Sequence, residues 1–439
     1  MSGTTFADIH FGLTTAGRTM GVGTSATGDF IFSDTELGFM DNAKFHFVSN
    51  GDLDVHSTTG SSTNSVLYGS AAGSTLNVDQ AGLNLGAIDV IFETDNFNFE
   101  GTTANGDITG TGNLWFRTVS SGITTGIGDG TVGARFFSDD DLSRFIGFDT
   151  WQFAGGSDYD IASRNWMQHL TLGGQAMNFQ GNHDFNGNDL YIANRDNIFF
   201  NGSMQSLGGD LIIESSFNRT TQIGDDAITV ALDGAKLRDS DIANITDGWN
   251  SILFTHAGPN GEVIIDAGGA SLTFSDAVTF NATDGITLNS DLIGTDNASF
   301  TFTGGTDLVD INADIDTSGG VGGNFIDFNT VDAIELDGDL TTNNGDIDFG
   351  AAVNVTTAAA RTIDAQTGTI SFADTFFGSA FGTTFVADDY AFTGDVSTLG
   401  NGNLSFGLVS SGRTFGLGTG AIGDVVFDDT TLALLKGGP

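Results

Sequence analysis

From residue 263 to 372 the apolar residues come in pairs one residue apart, among them Leu272/Phe274, Val278/Phe280, Phe300/Phe302, Ile326/Phe328, Ile347/Phe349 and Ile370/Phe372. Alternation of period two is the mark of a strand with one buried face. The pairs are separated by stretches rich in Gly, Asn, Asp and Thr, which are turn residues. A sandwich would want longer strands joined by tight hairpin dipeptides. Short strands in unbroken succession predict a solenoid instead. Each strand pairs with its equivalent one coil above and below, and the inward residues stack into apolar ladders.

A longer period lies over this fine one. Residues 8–37 (DIHFGLTTAGRTMGVGTSATGDFIFSDTEL) align without a gap to residues 403–432 (NLSFGLVSSGRTFGLGTGAIGDVVFDDTTL). A third copy occupies residues 113–142 (NLWFRTVSSGITTGIGDGTVGARFFSDDDL). Phe45 and Phe47, following the first copy, answer to Trp151 and Phe153, following the middle one. Repeat copies are therefore expected near 8–55, 113–161 and 403–436, with a looser relative at 211–266. The chain enters and leaves in the same motif, so it reads as a fragment of a longer repeat protein. No linker interrupts it, and 1–439 is expected to form one continuous β-solenoid. At about 20–25 residues per coil it makes roughly 20 coils. With about 4.8 Å per coil, the rod is on the order of 90–100 Å long.

Composition sharpens the picture. The 439 residues include 64 Gly, 2 Pro and no Cys. Only six of the 56 acidic residues are Glu, and three of the 13 basic residues are Lys. Asp bonds nearby backbone N–H groups in turns, whereas Glu and Lys belong to exposed helix faces. Almost no exposed helix is expected. Disorder is excluded too, because 38 Phe supply apolar area for a long core. The net charge is −43, with no Lys or Arg between Arg238 and Arg361. Nucleic acid and anionic membranes are thus excluded as partners. No run of 18 apolar residues is present, so no membrane insertion is expected. The N-terminus has neither the basic nor the apolar region of a secretion signal.

The order of a G-x-G-x-G turn, an acidic D-x-x-F/D-D segment, a Leu, an aromatic strand and then G-D-I/L-x-V/F pairs resembles a known pattern. It is similar to the repeats of filamentous-haemagglutinin-like and other large β-solenoid adhesins of Gram-negative bacteria. That resemblance implies a right-handed β-helix, displayed on the cell surface or released, which mediates adhesion or forms a stalk. The family's secretion domain and its β-barrel translocator are not recognisable in this sequence.

Gly128-x-Gly130-x-x-Gly133 and Gly418-x-Gly420-x-x-Gly423 match the dinucleotide fingerprint. That motif needs a helix directly after it, and here Phe136-Phe137 and Val425-Val426-Phe427 follow. Solenoid corners are the expected role. Asp139-Asp140-Asp141, Asp225-Asp226 and Asp428-Asp429 could hold Ca²⁺, but their spacing matches neither an EF-hand loop nor the GGxGxDxUx array of calcium-binding β-rolls, and they are read as solvated turns. Stabilisation of the acidic chain by salt or Ca²⁺ stays open. His10, His46, His56, His169, His183 and His256 are scattered and carry no zinc-site spacing. Without Cys there is no thiol nucleophile, and G-x-S-x-G is absent. Arg18 and Arg413 share one repeat position, where the middle copy has Ile123; each is expected to pack across the coil and meet a neighbouring Asp. Phe97/Phe99, Phe199/Phe200, Trp151/Phe153 and Trp249 are read as core ladders. No catalytic, cofactor or metal residue is assigned.

The expectation is a non-catalytic extracellular structural or adhesive repeat rod. It would associate end to end with its own copies or flanking repeats, and glycans of a cell surface or matrix are its candidate ligands. The alternative is a carbohydrate-active β-helix enzyme with its groove in residues 162–222.

Overall fold

The computed structural model describes residues 8–39, 44–56, 65–78, 83–99, 108–216, 219–224, 234–305, 307–329, 332–398 and 401–436. The fold is all-β, with 48% of residues in strands and 5% in helices, wound as a parallel β-solenoid of about 15 turns. The chain divides into two compact units, Met1–Asn194 and Arg195–Pro439.

In the first unit, parallel strands stack in the order Asp8–Gly12, Lys44–Val48, Val66–Gly69, Val90–Glu93, Leu114–Arg117, Thr150–Ala154, His169–Gly174 and Leu190–Asn194. Alternation decides which side chains turn inward. Phe47, Tyr68, Phe92, Phe116 and Phe153 are register partners and all fully buried. Their rings stack at 5.8, 5.8, 6.0 and 4.9 Å. Such offset pairs contribute about 0.5–1.5 kcal/mol each beyond their buried area.

The second unit repeats the construction with fewer interruptions. Three sheets run along it. One holds the strands from Asp210–Ser216 to Asp389–Phe392, and the others have ten and seven strands. Phe254, Phe280, Phe302, Phe328, Phe349 and Phe372 form its aromatic ladder, with successive centroids 5.0–5.6 Å apart. The last two steps are nearly parallel, at 4° each. Every apolar pair named above as a strand signal lies in one of these sheets with both residues buried.

The repeat copies share one local structure. After the first strand the chain turns, makes a three-residue strand, loops, and returns in a second strand parallel to it only ten residues on. Met20 pairs with Phe30, Thr125 with Arg135 and Phe415 with Val425. A loop this tight works only without side chains at its crossing. A Cβ on Gly133 would lie 2.3 Å from the backbone N of Gly126, and one on Gly423 would lie 2.4 Å from that of Gly416. The looser copy does the same with a longer excursion, pairing Gln222 with Lys236. In the second unit the closing copy starts on a different sheet from the looser one. Leu404–Gly407 stacks on Thr383–Val386, whereas Asp210–Ser216 pairs with Ser251–Ala257.

Two expectations need correction. About 15 turns are wound rather than roughly 20, because coils that carry a repeat copy are long. Ile326, Ile347 and Ile370 follow one another at 21 and 23 residues, but Ile9 to Phe45 takes 36, Leu114 to Trp151 takes 37 and Leu211 to Ile252 takes 41. In addition, each copy ends in a short helix, where the composition predicts almost no exposed helix: α1 (Asp34–Leu37), α2 (Asp139–Ser143), α3 (Asp239–Ala243) and α4 (Asp429–Leu434). Ser33 and Glu36 form a capping box at α1, as do Ser138 and Asp141 at α2. Leu37, Leu142 and Ile242 are the buried anchors.

Candidate functional site

Parallel coils leave backbone N–H groups unpaired where strands end, and a buried or half-buried donor needs an acceptor. Asp fills that need here. The Asp52 carboxylate accepts the Thr75 N–H at 2.8 Å, Asp89 accepts that of Asn113 at 2.9 Å, and Asp346 accepts that of Thr369 at 2.7 Å. In the second unit the device is chained. Asp291 accepts from Asp314 at 3.0 Å, Asp314 from Asp339 at 2.7 Å, and Asp339 from Thr362 at 2.8 Å. Each donor lies about one coil beyond its acceptor, so these carboxylates fasten successive coils.

The most elaborate version recurs in the repeat. Asp95 is 4% exposed. It accepts the N–H groups of Val119 at 3.0 Å and Ser120 at 2.9 Å, the Ser120 hydroxyl at 2.5 Å, and the Gly73 N–H at 3.0 Å. Asp388, also 4% exposed, accepts from the N–H groups of Val409 at 3.1 Å and Ser410 at 2.9 Å, and from the Ser410 hydroxyl. Val409 and Ser410 occupy the repeat positions of Val119 and Ser120. Two adjacent amides and a hydroxyl thus form a nest for one carboxylate of the preceding coil. Burial opposes ionisation of both acids, but these hydrogen bonds outweigh it and hold both carboxyls below their usual range.

A cation accompanies each nest. Arg413 approaches Asp388 at 3.9 Å. The middle copy has Ile123 instead, and there the buried Arg135 supplies positive charge to Asp95. Burial lowers the pKa of Arg135, and Tyr159 and Asp95 oppose that shift. Arg18 and Arg413 therefore do meet neighbouring Asp residues, Arg18 through Asp29 at 3.0 Å.

The other candidates resolve into structure. Gly128, Gly130 and Gly133 belong to the tight parallel loop, which is followed by the strand Arg135–Phe137. Asp139, Asp140 and Asp141 form the first turn of α2, where Asp141 accepts from Ser138. Asp428 caps α4 by accepting the Thr431 N–H at 2.8 Å, and Asp429 is its first residue. Asp225-Asp226 lie outside the described residues. Trp151, Phe153, Phe200 and Trp249 are buried, whereas Phe97 and Phe99 are half-buried and Phe199 lies under the Arg238 guanidinium. Coiling brings together residues that sequence spacing kept apart: the His10 and His46 rings sit 4.0 Å from each other on adjacent strands. Among the described residues, no group of three or more His, Cys, Asp or Glu is placed to hold a metal ion.

Two surface clefts bear on chemistry. One, of about 480 Å³ in the first unit, is lined by Phe145, Phe148, Trp151, Arg164, Met167 and Gln168 among others, with no Asp or Glu in its wall. It overlaps the beginning of the segment 162–222. The other, of about 430 Å³ in the second unit, exposes Asp327, Asp346 and Asp348. Burial, and then the charge of Asp348, raise the Asp327 pKa. Nearby, Asp348 accepts the Ser371 hydroxyl and Asp346 the Thr369 N–H.

Stacked parallel coils with internal aromatic ladders define the class, a parallel β-solenoid. Compared with known proteins, the chain matches no family model, and no curated protein or solved structure is significantly similar to it. Among the described residues no helix is long and apolar enough to cross a membrane.

Proposed function

We propose that this chain is a non-catalytic structural or adhesive module of a bacterial surface protein, one whose coils space and display binding surfaces. The observation that carries the reading is the reuse of one structural unit. The same strand–loop–strand–helix recurs in three close copies and a looser one, and carboxylates of the coils around it, those of Asp95, Asp388 and Asp339 among them, are bound to the backbone of the next coil. An enzyme needs one coil to depart from the repeat and present free acids in a groove. A right-handed winding belongs to this reading, since parallel crossovers are right-handed in about 98% of cases. An outward location accords with the resemblance to surface adhesins and with the lack of Cys.

The test is one preparation of the chain exposed to a glycan array, to intact bacterial and host cells, and to a panel of acidic and neutral polysaccharides. Retention on a surface without release of reducing ends or unsaturated products is expected. Turnover that disappears in Asp348→Asn would replace this reading with a carbohydrate-active enzyme working at Asp327 and Asp348.

A further inference from the structure

One corner of the first unit is split. Leu114–Arg117 pairs with Thr150–Ala154, and Thr125–Ile127 pairs with Tyr159–Ile161, so two faces carry the ladder straight from one coil to the next. On the third face it stops. Among the described residues Phe145–Ile146 pairs only with Ile108–Thr109 of the coil before, and Arg164–Asn165 only with His183–Asp184 of the coil after. The two strands belong to consecutive coils but to separate sheets. The cause is local. One coil reaches this corner through α2, the next directly from Tyr159–Ile161. Both free edges line the cleft of about 480 Å³, a volume within the range of about 300–1,000 Å³ that small-ligand sites occupy.

Three features of this cleft select an occupant. A free strand edge offers main-chain donors and acceptors to an extended segment. The lining is largely apolar: Phe148 and Trp151 are buried, whereas Ile146 and Met167 are 51% and 75% exposed. In a chain of net charge −43 the wall has no acid and one cation, Arg164. The Arg164 side chain is 20% exposed, and its Nη1 donates to Asp139 at 2.8 Å. A guanidinium carries five N–H donors, so that bond leaves others for a second carboxylate. An acidic sugar would use the cation and leave the exposed Ile146 and Met167 side chains in water. An apolar acid would use both of these and leave the strand edges unpaired. The end of a polypeptide has a carboxylate, a last side chain and a row of amides, and so uses all three.

We propose that this cleft binds the C-terminus of a partner polypeptide that ends in a large apolar residue. The terminal carboxylate pairs with Arg164. The last side chain packs on Phe148, Trp151 and Met167, and the amides before it bond the edge of Phe145–Ile146 or of Arg164–Asn165. The body of the partner is basic, because the acidic chain repels any other excess charge and draws that one in. This inference rests on the reading of the chain as a binding module and names the class of its partner.

The test uses the full chain and fluorescein-labelled hexapeptides of the form Lys-Lys-Thr-Val-Thr-X, with X as Phe, Leu, Met or Gly. Fluorescence anisotropy should show binding of the Phe, Leu and Met peptides over the Gly peptide. Amidating the C-terminus should weaken it about tenfold, the ratio expected from losing a charge-assisted hydrogen bond. Methylating the last two backbone nitrogens of the peptide should abolish it. Arg164→Gln should weaken the free-acid peptide by about the same factor as amidation and leave the amide peptide unchanged. Asp139→Asn releases the guanidinium and should tighten the free-acid peptide alone; a purely structural Arg164 would show no such gain. The Met167 methyl resonance, assigned through Met167→Leu, should shift on binding, and circular dichroism checks the fold of each variant. The inference is overturned by no binding of any peptide, by equal binding of acid and amide forms or of Phe and Gly peptides, or by full binding of the methylated peptide. Glucuronic acid bound through Arg164 in place of the peptides overturns it too and assigns the cleft to an acidic sugar. The surface-retention and turnover assays of the preceding section do not depend on these peptides, so either idea can fail alone.

Discussion

Asp314 and Asp339 stand one coil apart, and the carboxylate of the first accepts the backbone N–H of the second at 2.7 Å. The N–H of Asp314 in turn goes to Asp291 at 3.0 Å, so each acid is donor on one side and acceptor on the other. Replacing Asp314 by Ala removes one acceptor and leaves the Asp339 amide to solvent. Because the corner is exposed, the expected cost is about 1 kcal/mol. Asp314→Asn keeps an acceptor and should cost less than half of that. Urea melts of the two variants read the difference, and an Ala variant as stable as the parent would deny the fastening role.

Tyr68 occupies a rung of the first unit's ladder between Phe47 and Phe92, at 5.8 Å from each. Its hydroxyl is buried and has no hydrogen-bond partner among the described residues. A polar group in that state costs roughly 1–3 kcal/mol. Tyr68→Phe keeps the ring and removes the cost, so the variant should be more stable by about 1 kcal/mol, with a raised melting temperature. Burial pushes the hydroxyl pKa well above its ordinary value of 10.0. The folded chain therefore holds a proton that the unfolded chain releases above pH 10, and stability falls as pH rises past that point. The Phe variant should lose part of this alkaline decline.

The ladders were legible because Ile326/Phe328 or Ile347/Phe349 alternate in a way that only a half-buried strand explains. The ends of the repeat copies were less so, although the signal was present. Ser33-x-x-Glu36 before Leu37 and Ser138-x-x-Asp141 before Leu142 are capping boxes with an apolar anchor. Their helices have four and five residues, too short to show a helical period, and their acids look like any other turn. The nests could not be read at all. Val119-Ser120 is an unremarkable dipeptide, and its meaning comes from Asp95, a whole coil away in sequence. The meeting of His10 and His46 is hidden for the same reason: the coil length that superimposes them, 36 residues, is set by the inserted repeat.

Two buried groups should tilt the pH dependence of the units in opposite directions. Burial raises the Asp276 pKa to about 6; Asp247 adds to the rise, and the N–H groups of Gly248 and Trp249 resist it. Between about pH 6 and the unfolded value of 3.8, the native second unit holds a proton that the unfolded chain has lost. The second unit thus gains stability as pH falls through this window. His183, which accepts from Trp166 Nε1 at 3.3 Å, is lowered by burial to about 4. There the unfolded chain holds the extra proton, so the first unit loses stability as pH falls from 6.5 toward 4. Melting series at pH 7, 6, 5 and 4 on Asp276→Asn and His183→Gln should each lack one of these slopes. A variant with the parent's full pH profile would refute the assignment for that residue.

The proximal loop glycines differ in what they tolerate. Gly130 has φ +87° with open space around its missing side chain, whereas Gly133 faces the Gly126 backbone at 2.3 Å. Gly130→Ala meets only the left-handed backbone penalty, about 1 kcal/mol. Gly133→Ala must push Thr125–Ile127 and Arg135–Phe137 apart, breaking their parallel pairing. Hydrogen exchange should show lost protection at Arg135 and Phe137 in the second variant and little change in the first. Similar protection in both would mean that the crossing is looser than the structure has it.

Like charges face each other along the outside of the second unit. Asp327 and Asp348 are register partners, as are Asp310 and Glu335, and neighbouring strands lie about 4.8 Å apart. At that spacing two carboxylates repel by roughly 0.8 kcal/mol even in bulk water. Between Arg238 and Arg361 no Lys or Arg is present to answer them. Mobile ions must do the screening, and screening depends on ionic strength rather than on ion identity. The melting temperature should therefore climb as NaCl goes from about 10 mM toward 1 M. CaCl₂ at matched ionic strength should add nothing, since no described cluster offers Ca²⁺ the ligands it requires. Asp327→Asn should raise the low-salt midpoint and flatten the salt curve. A rise produced by micromolar Ca²⁺ and reversed by a chelator would mean that a bound cation, not diffuse screening, holds the acidic face together.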